Sequence, residues 1–136
     1  MSRIPRILYV EDHEDTRECV SIVLVKNNFE VVTADTFEEG LFLAQQNFYD
    51  LYLLDMCLPD GVGVELARQI RWFNRKTPIV FFSAAAFESD QLEAVRAGAQ
   101  AYLIKPTAPS ELCEVISTLI ELDEMTMVST VSSFIN

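Results

Sequence analysis

Leu51-Tyr52-Leu53-Leu54-Asp55 is an apolar run that stops on a carboxylate, and the turn-forming Leu58-Pro59-Asp60-Gly61 follows close behind it. A short apolar stretch bounded by turn signals reads as a strand buried on both faces, because a strand with one wet face would alternate. Strands of that kind belong to parallel sheets covered by helices on both sides. The same pattern recurs on either side of it. Arg6–Val10 is a buried strand ending at Glu11-Asp12, and Glu14–Lys26 carries Val20, Val23 and Leu24 at helical spacing. Phe29–Ala34 is a second strand; Thr36, with Glu39 three residues on, resembles a capping box that opens a helix through about Gln46. Beyond the quoted run, Val64–Phe73 is helical, Pro78–Phe82 is an apolar run ending at Ser83, and Ser89–Ala97 is a helix that Gly98 terminates. Ala101–Ile104 is the last strand and Ser110–Leu122 the last helix.

Five strand–helix units predict an α/β, doubly wound (βα)5 sandwich with a parallel sheet, for which the flavodoxin-like order 2-1-3-4-5 is one of the two common arrangements and is the one expected. Residues 1–122 are expected to form the domain. From Asp123 the pattern decays into Met125–Asn136, and residues 123–136 are left as a floppy end, a docking segment or the stub of a linker.

Ten Lys and Arg against twenty-one Asp and Glu leave a net charge of −11 on 136 residues, half of them hydrophobic. That length suits one domain with a real core. Strong negative charge repels nucleic-acid phosphates and acidic lipid, so neither is expected as a direct partner. No stretch approaches a membrane span, and Ile7–Val10 is too short for a signal peptide. Cys19, Cys57 and Cys113 form no metal pattern, and reduced thiols in a cytoplasmic chain fit them better than disulfides.

Open α/β sheets bind ligands beyond the carboxyl ends of their strands, where strand order reverses. The residues expected there are Glu11, Asp12, Asp55, Ser83 and Lys105. Three carboxylates in one crevice demand either a cation or a raised pKa. An oxygen-rich site with few protein ligands suits Mg²⁺. Lys105 is the only Lys or Arg after Arg96 and is followed by Pro106. A carboxylate nucleophile, a lysine, a hydroxyl and a divalent cation are the parts that phosphoryl transfer uses.

Glu11-Asp12, Asp55 with Pro59 and Gly63, Ser83-Ala84 and Lys105-Pro106, each set at the end of a predicted strand, resemble the response-regulator receiver domain of two-component signalling over residues 5–122. The resemblance implies that Asp55 accepts a phosphoryl group from a phosphohistidine on a sensor histidine kinase or a histidine phosphotransfer protein. It implies that Glu11, Asp12, Asp55 and the Cys57 carbonyl hold Mg²⁺, that Ser83 and Lys105 bind phosphoryl oxygens, and that Lys105–Pro106 is a cis peptide. Ser83 and Tyr102 would form the switch that remodels the helix 4/strand 5/helix 5 surface for a downstream protein or a homodimer. The kinase would meet helix one near Glu14–Cys19 and the loops at Pro59 and Pro106.

Three other readings compete. One is a receiver-like interaction module without phosphorylation, and another is the receiver fragment of a longer transcriptional regulator. The third is a Mg²⁺-dependent phosphatase with an aspartyl nucleophile. Enzymes of that kind want a second Asp two residues after the first, where this chain has Cys57, so an enzyme is not expected. Asp12 also suits an N-cap, and His13 is expected to face solvent at the start of a helix. Arg68, Arg71, Arg75 and Lys76 cluster late in the third helix, where cations need no partner to explain them.

Overall fold

The structure, a computed structural model, describes residues 3–135, with side chains as far as Met125. Five strands, β1 (Arg6–Val10), β2 (Glu30–Ala34), β3 (Leu51–Leu54), β4 (Ile79–Ser83) and β5 (Ala101–Ile104), form one sheet. Every pairing is parallel and the order is β2-β1-β3-β4-β5, the doubly wound order expected. Helices α1 (Glu14–Lys26), α2 (Phe37–Gln46), α3 (Gly63–Phe73), α4 (Glu88–Arg96) and α5 (Pro109–Ile135) make the crossovers and the final layer.

Alternate residues of the strands feed two cores. Leu8, Val10, Tyr52, Leu54 and Phe81 pack with buried residues of α2, α3 and α4. Ile7, Tyr9, Leu51, Leu53, Val80 and Phe82 pack with Leu24 of α1 and with Leu112, Ile116 and Ile120 of α5. This is why β3 shows no alternation: its odd and even side chains are both fully or almost fully buried, on opposite faces.

Local chemistry departs from the sequence reading in three places. Cys57–Leu58 and Gly61–Val62 pair as a two-stranded antiparallel ribbon around the Pro59-Asp60 turn. Thr36 Oγ1 does accept from the Glu39 amide at 3.1 Å, but the other capping acceptor of α2 is Asp60. It takes the amides of Phe37 at 2.7 Å and Glu38 at 3.0 Å, and these bonds hold its carboxyl below the ordinary value. Finally, α5 runs on to Ile135 where the last helix was expected to end at Leu122. No Gly or Pro follows Pro109 in the chain, so no strong breaker stops it, although residues 126–133, rich in Thr, Val and Ser, are only modest helix formers. Asn136, the end of the segment read as a tail, lies outside the described residues.

Gly63 begins α3 beneath the end of β3, its amide donating to the Met56 carbonyl at 2.6 Å. A Cβ there would lie on the Asp55 carbonyl oxygen and 2.9 Å from Met56 Cα, backbone on both counts. Gly63→Ala is therefore expected to lower the urea midpoint by about 1–3 kcal/mol of stability, as overpacking does, and to displace Asp55. A variant as stable as the parent would show that α3 can back away without cost.

Candidate functional site

The carboxyl ends of β1, β3, β4 and β5 converge, and they bring Glu11, Asp12, Asp55, Ser83 and Lys105 to one crevice. Carboxylate oxygens of Glu11, Asp12 and Asp55 lie within 4.8 Å of one another, the first and last buried and Asp12 exposed. Asp55 has both oxygens occupied. Its Oδ1 accepts from Ser83 Oγ at 2.8 Å and from the Cys57 amide at 3.1 Å, while Oδ2 accepts from Lys105 Nζ at 2.9 Å. Lys105 also donates to Glu11, and its ammonium lies 5.4 Å from the centre of the Phe82 ring. Glu11 Oε2 takes the His13 amide at 3.1 Å. The Lys105–Pro106 peptide is cis.

These bonds divide the titration of the two buried acids. Burial pushes Asp55 up, but Lys105, the Cys57 amide and Ser83 together outweigh it, and its carboxyl lies below the ordinary range. Asp55 is thus ionised at neutral pH. For Glu11 burial prevails over the help of Lys105 and the His13 amide, and its carboxyl is raised. Lys105 itself is raised, because its bonds to Glu11 and Asp55 outweigh its own burial.

One lysine ammonium faces three carboxylates here, an imbalance that a small divalent cation would correct. The donor set fits Mg²⁺: three carboxylates in reach of one point, one of them open to water. Cys57 contributes its amide to Asp55, and its exposed thiol is held up by burial and by nearby acids, which keeps it in the less nucleophilic protonated form.

Tyr102 stands apart from this cluster but close to it. Its ring stacks on Phe81 at 5.8 Å with an interplanar angle of 19°, and its hydroxyl donates to the Ala85 carbonyl at 2.6 Å. The Ala85 amide in turn donates to Ser83 Oγ at 3.3 Å. A chain of contacts therefore joins Asp55, Ser83, Ala85 and Tyr102.

Several supporting residues were not legible beforehand. The N-cap of α1 is His13, not Asp12: its Nδ1 accepts from the Thr16 amide at 3.2 Å. His13 is exposed, and its Nδ1 is committed to that helix cap. Arg17 donates to the carbonyls of Glu11 at 2.9 Å and Asp12 at 3.4 Å, which fixes the backbone of the acidic pair. It lies one turn into α1, within reach of the strand end. Tyr9, two residues before Glu11 on β1, is fully buried, and among the described residues its hydroxyl makes no hydrogen bond of good geometry, the Glu11 carboxylate being only a loose acceptor near it. Burial, reinforced by the charges of Glu11 and Asp55, pushes that phenol up. An unpartnered buried hydroxyl costs about 1–3 kcal/mol. Tyr9→Phe is accordingly expected to raise the urea midpoint by roughly 1 kcal/mol of stability; a lower midpoint would mean that the hydroxyl has a partner in solution.

Comparison with known proteins agrees with this geometry. Residues 7–117 match the family described as the response regulator receiver domain. Over 115 residues the chain is 35% identical to the cell cycle response regulator CtrA of Brucella ovis, which covers 85% of this chain and 50% of that protein. The chain thus spans about half the length of the curated relatives it matches. A CheY-like receiver domain protein from Methanospirillum hungatei superposes with a TM-score of 0.88 at 29% identity, covering 91% of this chain and 99% of that one. The receiver domain of a sensor histidine kinase from Pseudomonas aeruginosa, which has a magnesium ion coordinated in its active site cleft, does so at 0.81 and 27% identity. There the overlap is 88% of this chain and 99% of that one.

Proposed function

The chain belongs to the response regulator receiver domain family of two-component signalling, and on that premise we propose that Asp55 is its phosphoacceptor. The observation that carries this reading is Asp55 itself. It is a buried, ionised carboxylate at a strand end, flanked by two further carboxylates, a lysine 2.9 Å away and a hydroxyl 2.8 Å away.

An Asp55 oxygen attacks the phosphorus of a phosphohistidine on a kinase or phosphotransfer protein. The new O–P bond forms as the P–N bond breaks, and the histidine nitrogen leaves with the electron pair. Glu11, Asp12, Asp55 and the Cys57 carbonyl would hold Mg²⁺, which when bound neutralises charge on the phosphoryl oxygens. Because both Asp55 oxygens are taken at rest, the donor on the attacked oxygen must let go as the carboxylate becomes an acyl phosphate, a mixed anhydride, and the other oxygen, now a neutral carbonyl, holds its donor more weakly. Both are then free to bind phosphoryl oxygens at nearly the same positions. The shift of Ser83 pulls on Ala85, and Ala85 holds Tyr102, so the α4–β5–α5 face would feel the phosphoryl group through that chain of contacts. The modified state is favoured only as far as these contacts differ between the two forms.

On this reading the domain is a switch and not a turnover enzyme, and its outputs are protein contacts, either with a downstream target or with a second copy. The test is intact mass after incubation with acetyl phosphate, with and without Mg²⁺. One phosphoryl mass gained only with the metal is the expected result. No gain, together with no response to a beryllofluoride mimic, would leave an interaction module that does not use its acidic crevice.

A further inference from the structure

At the opposite end of α3 lies a surface that this activity does not use. Helix α3 starts beside Asp55, and its eleven residues carry its far end roughly 16 Å away. There its last turn meets the last turn of α4. Arg71 ties the two ends together, donating to the carbonyls of Asn74 at 3.0 Å, Thr77 at 2.8 Å and Gly98 at 2.7 Å. Gly98 has a positive φ of 97°, and a Cβ there would meet the Arg71 guanidinium at 2.8 Å. Arg71 is therefore committed to the fold.

Its neighbours are not. A cleft of about 400 Å³ opens between the helix ends, lined by Arg68, Trp72, Arg75 and Arg96 around Arg71. With Lys76 alongside, these account for five of the chain's ten cations, on a molecule of net charge −11. Arg68 is held by Glu65 at 3.3 Å and Glu93 at 3.9 Å. Arg75, Lys76 and Arg96 make no ion pair among the described residues. Trp72 is 84% exposed, more than any other large apolar side chain described. The helix dipole accounts for a cation at each helix end. It does not account for a tryptophan held in water among them.

We propose that this cleft docks an acidic segment of a partner protein, with Trp72 as the apolar anchor and Arg75 and Arg96 as the counter-charges. Tryptophan and arginine are the residues most enriched where interfaces concentrate their binding energy. Charge complementarity selects the occupant. A narrow peptide segment feels the local cations, since charges further than about 8 Å away are screened at physiological salt. A nucleic acid or an anionic bilayer extends past the patch and meets the acidic remainder of the surface. Glu65 and Glu93 at the rim restrict the match to acids that reach Arg75 and Arg96. Docking here leaves the Asp55 crevice open, so the segment and a phosphoryl group can be held together.

Trp72 is the only tryptophan in the chain, and its emission reports the cleft directly. The full chain is titrated with a capped peptide of glutamates around a central Leu-Phe pair, with the lysine counterpart as control. A saturable change with the acidic peptide alone, weakened by salt, is expected. Arg75→Glu with Arg96→Glu should weaken binding by about tenfold or more, as loss of interface charges does. Trp72→Ala should weaken it as well, read from the anisotropy of labelled peptide. Circular dichroism and labelling by acetyl phosphate verify that each variant is folded; if the double charge reversal is not, Arg75→Gln with Arg96→Gln replaces it. Equal binding of the lysine peptide, or no effect of the double variant, overturns the proposal. So does a stronger response to a single-stranded oligonucleotide or to anionic vesicles, or an emission change that follows protein concentration without peptide, which would make the occupant a second copy. Labelling of Asp55 in the same samples keeps this outcome separate from that of the phosphoacceptor reading.

Discussion

Asp55→Asn is expected to gain no phosphoryl mass from acetyl phosphate at any Mg²⁺ concentration, while the parent gains one. Asparagine keeps the shape of the side chain, and its carbonyl oxygen can still accept from Ser83 and the Cys57 amide. What it lacks is the anionic oxygen that, on the proposed reading, would form the bond to phosphorus. The fold should survive, with a stability loss on the order of 1–3 kcal/mol, because the bonds from Ser83 and the Cys57 amide become neutral and the asparagine amide nitrogen cannot accept from Lys105, which keeps Glu11 as its partner. Asp55 is also one of the carboxylates placed to bind metal, so a second variant separates the two roles. Asp12→Asn removes an exposed ligand and leaves the nucleophile in place. It should slow labelling at fixed Mg²⁺ by at least the roughly tenfold that even outer-shell changes to metal sites cost, yet still end in one adduct. If Asp55→Asn were labelled as fast as the parent, another carboxylate would be the acceptor and the reading of the crevice would fail.

Much of this architecture was legible because its signals are local. An apolar run with no alternation means two covered faces, and its strand character follows from its length and the turn that bounds it. The carboxyl-end residues follow from the strand ends alone once the sheet order is granted. What stayed hidden depends on residues distant in sequence. Asp60 caps α2 from twenty-three residues beyond Phe37, across two connections, and nothing near Thr36 announces it. The cap of α1 went to His13 over Asp12 because Glu11 and Asp12 are drawn toward the crevice, which leaves the next residue to meet the helix amides. Tyr9 read as one more apolar strand residue. That its hydroxyl is poorly partnered depends on what packs around it and has no signature in the pattern. The basic cluster late in α3 was correctly assigned to a helix end. The part contributed by Arg96 and the exposure of Trp72 emerged only when α4 was folded against it.

The crevice also makes a strong demand on Lys105, and removing it should be strongly destabilising to the metal-free protein. Lys105→Met keeps most of the stem but deletes the ammonium that both Glu11 and Asp55 accept from. Two buried carboxylates would be left without a counter-charge, a situation that costs about 3–5 kcal/mol when one partner of a buried pair is lost. The pH dependence has a definite sign. In the parent the Asp55 carboxyl is depressed, so its contribution is present above the unfolded value near ~3.9 and is lost as pH falls through the folded one. Without Lys105, burial and the mutual repulsion of the two acids are opposed only by the Cys57 amide and Ser83 at Asp55 and by the His13 amide at Glu11, so both carboxyls rise, with Glu11, raised already in the parent, furthest above its unfolded value. The folded variant then binds more protons than the unfolded chain, and its stability falls as pH rises from about 4 toward 7. The gap between parent and variant should therefore be small near pH ~4 and wide at pH ~7. A divalent cation that binds only the folded state closes it by mass action, so millimolar Mg²⁺ at pH 7 should recover much of the loss. Urea midpoints at the two pH values, in EDTA and in Mg²⁺, measure all four corners of this argument. A variant as stable as the parent at pH 7 in EDTA would show that the carboxylates are solvated well enough to dispense with Lys105, and that its place in the crevice belongs to the phosphoryl group alone.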